Sequence, residues 1–230
     1  MSPSVNLPDS TPARRIVGVI RLAMALLLVA AVATQIVDES VHDSFVPAEY
    51  FSYFTIQSAV IVAVVLAFAG AVSMRRRRDS DLLTSLRLAA LCYAVVTGVV
   101  YAALLRGVAT DGYAGIAWPN EALHVWAPIV VAVDWLVAPG RSRPAWGRLW
   151  ATLYFPIAWL SFTLIRGAVT GWYPYPFLDP ASAAGWTGVL LYIAAIAVFI
   201  TGTGAVGIAA ARLATRGRGD VSDLGRHGAV

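Results

Sequence analysis

The sequence predicts an all-α, polytopic integral membrane protein of six transmembrane helices with both termini in the cytoplasm, and three observations carry that expectation. Hydrophobic side chains make up 59% of the 230 residues and charged ones only 13%, about half the charged share of a soluble globular domain. The apolar residues gather into six runs, at 16–37, 52–73, 86–105, 119–137, 149–165 and 184–211, each long enough to cross a hydrocarbon layer of about 30 Å. Every one of the 17 basic residues is an arginine, and fifteen of them fall before span one or at its start, between spans two and three, between four and five, and after six. Only Arg106 and Arg166 lie on the other side, which instead carries Asp38, Glu39, Asp43, Glu49, Asp111, Glu121 and Asp179. Basic loops stay in the cytoplasm, so this asymmetry orients the bundle with both termini on the cytoplasmic side. The net charge of +4 is then a topology signal, and no nucleic-acid partner is implied.

Taken in order, residues 1–13 combine proline and turn-forming residues without a basic side chain and read as a disordered cytoplasmic tail. Residues 14–212 form the six-helix domain, and 213–230 a cytoplasmic C-terminal tail. The first apolar run is about 22 residues, longer than the 7–15 of a signal-peptide core, so it reads as an uncleaved helix. Tyr50, Phe51, Tyr53 and Phe54 follow an acidic loop as an aromatic cluster suited to an interface. Span two then opens with FTIQSAV, which sets Thr55 and Ser58 on one helical face with Gln57 beside them. Span three ends at Arg106 and span five at Arg166; each either snorkels to water or grips an anionic group above the bundle. After Arg166, aromatic residues alternate with Pro174, Pro176 and Pro180, a stiff stretch that either caps the bundle or forms an interfacial belt.

Span four holds the densest polar set, in NEALHVWAPIVVAVDW from Asn120 to Trp135. An ionisable side chain in hydrocarbon costs about 2.5–3.5 kcal/mol, so each needs a partner, an interface or a task. His124 follows Asn120 and Glu121 at i+4 and i+3, and Pro128 follows His124 at i+4. The missing N–H of Pro128 leaves the His124 carbonyl without its helical partner, and a bend is expected there. Thr55 and His124 each lie about five residues inside the outer start of a span running the same way, so both sit about 7–8 Å deep. A hydroxyl and an imidazole at one depth are the parts of a nucleophile and general-base pair. Asp134 lies about 15 Å deeper than His124, too far to orient it, and matches Arg21 in depth instead; a structural ion pair is expected.

One cysteine, Cys92, and three histidines give neither a disulfide framework nor a histidine-rich metal site. No cofactor and no metal is expected, and no dinucleotide, Walker or nucleophile-elbow motif occurs.

The FTIQS run of span two, the N-E-A-L-H-x-x-x-P-x-x-x-x-x-D-W pattern of span four and the YPYPFLDP stretch before span six resemble the androgen-induced and androgen-dependent six-helix membrane hydrolases, and more closely their actinobacterial relatives. The resemblance covers spans two to six. It implies an intramembrane hydrolase of fatty acid esters of hydroxy fatty acids, with Thr55 and His124 in the roles of nucleophile and base. Relatives often carry Asn after the Gln-Ser of the first motif; here that position is Ala59, and the polar contacts of that Asn are absent.

Two functions of different classes follow. As an enzyme, the chain takes a lipid ester from the membrane, with Gln57 or Asn120 as oxyanion donor and Ser58, Glu121, Arg106 and Arg166 around the pocket. As a binding or transport protein, the same pocket holds a lipid or apolar small molecule, with His124 satisfied by Glu121 or a helix carbonyl. Its partners in either case are membrane lipids.

Overall fold

A computed structural model describes residues 10–107, 115–182 and 184–227, with side chains as far as Ala214 in the last helix. Helix α1 spans Pro12–Val41, where Pro12 fits the first turn without losing a hydrogen bond and the Thr11 hydroxyl accepts from the Arg14 N–H. The helix therefore starts inside the stretch read as a disordered tail. Ser10 is buried as well, its hydroxyl donating to the Ser73 carbonyl, so the tail reading fails for residues 10–13, and residues 1–9 lie outside the described ones. A short α2 at Pro47–Tyr50 leads into α3 at Phe54–Arg75. Ser80 caps α4, which runs Asp81–Val100 and continues through a π-helical turn at Tyr101–Leu105.

The expected fourth span is assembled from three consecutive pieces: α5 at Ala117–Glu121, a π-helical turn at Ala122–Trp126, and α6 at Ala127–Val137. A 3₁₀ segment at Trp146–Thr152 precedes α7 at Tyr154–Thr170, which stops at Gly171 in the left-handed conformation. After a 3₁₀ turn at Pro176–Leu178, α8 extends from Gly185 to His227, so much of the stretch read as a C-terminal tail is helical.

The protein is all-α among the described residues, and five of its helices are long and apolar enough to cross a membrane: Pro12–Val41, Phe54–Arg75, Asp81–Leu105, Trp146–Thr170 and Gly185–Ala214. These make it a multi-pass membrane protein. The remaining expected span, 119–137, is helical throughout, but Pro128 cannot donate to the turn before it, and the chain answers with a π turn where a bend was expected.

Small residues let α1 and α3 approach closely. A Cβ on Gly18 of α1 would stand 3.0 Å from the Gly70 carbonyl oxygen of α3, and one on Gly70 would stand 3.0 Å from that of Gly18, the backbone proximity that membrane helices obtain from glycine. Leu28, Val62, Leu66, Leu88 and Val131 fill the core between α1, α3, α4 and α6. Large apolar side chains such as Leu26, Val64, Leu136 and Val198 point outward, as a surface solvated by lipid requires.

At the arginine-rich end, the expected Arg21–Asp134 pair is present, with Nε 2.8 Å and an Nη 3.2 Å from the two carboxylate oxygens. It belongs to a longer chain of charges. Asp134 also accepts from Arg87 at 2.7 Å, Arg87 reaches Asp79, and Asp79 accepts from Arg14 at 2.6 Å. Arg14 further donates to the carbonyls of Arg76 and Pro139, and Arg21 to the Ser73 hydroxyl. Buried guanidinium and carboxylate groups thus tie α1 and α4 to α6 and to the turns on either side.

Candidate functional site

The site is built at the start of α3. Its cap residue, Tyr53, offers no side-chain hydrogen bond to the first turn, so the leading N–H groups look outward for partners. Thr55 is the second residue of this helix and is 8% exposed. Its backbone N–H donates to the Tyr175 hydroxyl at 3.4 Å, and its own hydroxyl lies 3.5 Å from the same oxygen.

His124 approaches from the π turn of span four. Its Nε2 is 3.2 Å from Thr55 Oγ1 and its Nδ1 is 2.9 Å from the Asn120 carbonyl oxygen. A carbonyl only accepts, so in the neutral ring the proton sits on Nδ1 and Nε2 keeps its lone pair for the Thr55 hydroxyl. The other π turn supplies Tyr101, whose ring stacks on the imidazole at 4.1 Å between centroids with planes 25° apart. The Tyr101 hydroxyl accepts from the Asn120 side-chain amide at 2.7 Å, so Asn120 is held at both its carbonyl and its side chain. Gly98 lets the two segments meet: a Cβ there would stand 2.7 Å from Pro128 Cγ and 3.0 Å from the His124 carbonyl oxygen. Two π turns, a proline and a glycine together bring an imidazole, a hydroxyl and a phenol to one point.

Thr55 also lines a cavity of about 180 Å³ formed by α3, α4, α7, α8 and the 175–178 segment, and His124 is not part of its wall. Val96, Val100, Leu160, Ile193 and Ile196 are among its lining residues, and Thr55, Thr97 and Tyr175 bring the hydroxyls. Tyr175 is itself buried against Tyr53, Trp159 and a stacked Phe177. Burial pushes its phenol up to about 12, over the opposing pull of the Thr55 hydrogen bonds, so the hydroxyl stays protonated near neutrality.

The residues singled out in the sequence separate into two groups. Thr55, His124 and the Asn120 carbonyl come together, and Ser58 stands behind them, bonding the Thr55 carbonyl at 3.1 Å and the Thr97 hydroxyl at 3.2 Å. The rest face elsewhere. The Gln57 amide donates to the Phe51 carbonyl and the Asn120 amide to Tyr101, so neither expected oxyanion donor is aimed at Thr55. Glu121 pairs with Arg106 at 3.4 Å in an exposed contact, leaving the His124 ring to the Asn120 carbonyl. Arg166 lies over the Trp172 ring at 4.5 Å. Ala59 is buried beside Ser58, Leu123 and Ala127, around a void too small for more than about one water.

Sequence reasoning passed over Tyr175 and Tyr101 as site members. For Tyr101 the available signal was its i+4 spacing from Thr97, one turn from the arginine that ends the span. Tyr175 showed only as one ring in a proline-punctuated aromatic stretch.

What the arrangement offers is an uncharged hydroxyl–imidazole pair with a fixed tautomer, opening on an apolar cavity inside a membrane protein. No family model, curated protein or solved structure matches the chain, so its function is argued from this site.

Proposed function

We propose that the chain is an intramembrane lipid-ester hydrolase acting on long-chain fatty acyl esters, with Thr55 as nucleophile and His124 as general base. The observation that carries the reading is the 3.2 Å contact between Thr55 Oγ1 and His124 Nε2, with Nδ1 committed to Asn120, at the wall of an apolar cavity. The cavity suits an acyl chain. Fatty acid esters of hydroxy fatty acids, the substrates implied by the family resemblance, are within this class.

In the reaction, Nε2 takes the Thr55 proton as Oγ1 bonds to the ester carbonyl carbon. Collapse of the tetrahedral intermediate breaks the bond to the alcohol oxygen, which leaves with the proton from Nε2. A water then enters, gives its proton to Nε2 and attacks the acyl-threonine. The fatty acid departs and Thr55 recovers its hydrogen. Asn120 holds the ring in the required tautomer, and stacking on Tyr101 fixes its plane.

The same proposal counts 119–137 as a sixth span, with both termini in the cytoplasm of a bacterial cell. Thr55, His124 and the aromatic cap then lie toward the outer leaflet, from which a lipid reaches the cavity.

Purified protein in detergent tests the reading with long-chain p-nitrophenyl and branched fatty acyl esters. Thr55→Ala and His124→Ala each abolish hydrolysis while remaining folded, and the double variant is no worse than either, as for residues acting as one unit. Ser58→Ala and Thr97→Ala retain activity. Wild-type protein that binds these esters and never cleaves them would make the chain a lipid-binding protein.

A further inference from the structure

We infer that Tyr175 and the backbone N–H of Thr55 form the oxyanion hole of the site. The inference rests on the hydrolase reading and adds the electrophilic half of its chemistry.

The hydrogen-bond directions define what each group has to give. Thr55 Oγ1–H donates to His124 Nε2, because Nδ1 already carries the ring proton. The Thr55 N–H donates to the Tyr175 oxygen at 3.4 Å, which leaves the phenol its own hydrogen to donate, with Thr55 Oγ1 3.5 Å off. Two donors, a peptide N–H and a phenol O–H, therefore stand next to each other beside the nucleophile. Both contacts are long. When Oγ1 bonds to the ester carbon, the carbonyl oxygen receives the electron pair of the C=O bond and sits geminal to Oγ1, in the space that these two donors border. As the intermediate collapses, that pair re-forms the C=O bond and the alcohol leaves with the His124 proton. Charge on the oxygen is thus met by donors fixed before the reaction.

Three features hold the donors in place. The Thr55 N–H belongs to the first turn of a 22-residue helix whose cap residue supplies no side-chain acceptor, so it is free of the intrahelical ladder and carries the positive end of the helix dipole. The Tyr175 ring is wedged between Tyr53, Trp159 and Phe177, with the Phe177 plane 4° from its own. Both residues line the apolar cavity, so the carbonyl of a chain lying there has water excluded around it. Gln57 and Asn120 have their amides engaged elsewhere.

Tyr175→Phe tests the inference, since it keeps the packed ring and removes one hydroxyl. Kinetics of the full-length protein on a long-chain p-nitrophenyl ester should show kcat reduced about 100- to 1000-fold, the loss typical of one oxyanion donor, with KM within about threefold of wild type. A long-chain trifluoromethyl ketone, which forms a tetrahedral adduct on the nucleophile, should lose affinity in parallel, whereas the free fatty acid should not. Replacing Tyr175 by 3,5-difluorotyrosine, which retains the hydroxyl and acidifies it, gives a second measurement. Activity near neutrality should survive and then fail at alkaline pH where the wild type still works. Wild-type kcat in Tyr175→Phe, or an unchanged alkaline limb in the fluorinated protein, would overturn the inference and leave the Thr55–His124 reading standing. Wild-type protein inert toward every ester overturns both.

Discussion

Asp134→Asn should destabilise the protein far more than Arg21→Gln, although the two side chains form one ion pair. The reason is the charge count of the buried network, which holds Arg14, Arg21 and Arg87 against Asp79 and Asp134, a formal +1. Removing Asp134 leaves three guanidinium groups around a single carboxylate, with Arg21 stripped of the one carboxylate it pairs with among the described residues. Removing Arg21 leaves two cations and two anions, a neutral set in which Asp134 still holds Arg87. Unit charges 4 Å apart at an effective dielectric of 20 interact by about 4 kcal/mol, and breaking a buried pair by deleting one partner costs about 3–5 kcal/mol. Arg21→Gln loses the hydrogen bonds to Asp134 and Ser73 without raising the net charge, which costs about 1–3 kcal/mol. At about 2–4 °C per kcal/mol for a chain of this size, Asp134→Asn should lower Tm by about 10 °C and Arg21→Gln by less than half that. The double variant returns the network to +1 and should fall between the singles. Thermal unfolding in a mild detergent, followed by the folded fraction on gel filtration, reads all three. Equal losses from the two singles, or losses that simply add in the double, would refute the charge-count argument.

Gly98→Ala should cut ester hydrolysis at least tenfold and cost about 1–3 kcal/mol of stability, since the added Cβ would stand 2.7 Å from Pro128 Cγ and displace the turn that carries His124; activity and Tm of the same preparation check it, and a fully active variant would mean the helix gives way without moving the imidazole. On the hydrolase proposal the base works only as the neutral ring, so hydrolysis should be present above the His124 pKa and lost as pH falls through it. Initial rates from pH 4 to 9 should show that acid limb, and a flat profile would remove His124 from the base role. For topology, cysteine placed at the exposed Ala48 should react with an impermeant thiol reagent on intact cells, and cysteine at the exposed Arg78 should not, while native Cys92 is buried and stays silent.

Much of the fold was legible because the bilayer turns helix length into a composition signal. The apolar runs 52–73 and 86–105 match α3 and α4 with its π extension to within a few residues. Errors came where local capping set the boundary: Thr11 and Pro12 start α1 earlier than hydropathy alone places it. At the site, counting depth from the outer ends put Thr55 and His124 on one level, and contact between them depended on helix packing that no local pattern encodes. The Arg21–Asp134 pair was legible by the same depth argument, whereas Arg14, Arg87 and Asp79 were not. Each stands near a loop, among arginines whose spacing already explained topology, and only the tertiary fold buries it. Gln57 shows the converse limit, since its sequence position beside Thr55 says nothing of which side of the helix its amide serves.

The orienting group of the proposed pair has a physical logic of its own. Soluble hydrolases commonly hold the imidazole with a carboxylate, and this chain has two acids on the same helical run, Glu121 and Asp134. Neither does so: Glu121 turns outward to Arg106 and Asp134 serves the charged network at the other end. A carboxylate beside His124 would stand in an apolar helical run, and an uncompensated anion in hydrocarbon costs about 2.5–3.5 kcal/mol on insertion. The Asn120 carbonyl fixes the same tautomer with a dipole and adds no net charge. The oxyanion donors proposed above, one peptide N–H and one phenol, likewise leave the resting site neutral. On the proposed mechanism, charge arises there only during turnover, as imidazolium and oxyanion together. A neutral resting site is what would allow such chemistry to sit within a lipid-solvated bundle, and it separates the end that holds Thr55 and His124 from the arginine-rich end, where the charges are permanent and structural.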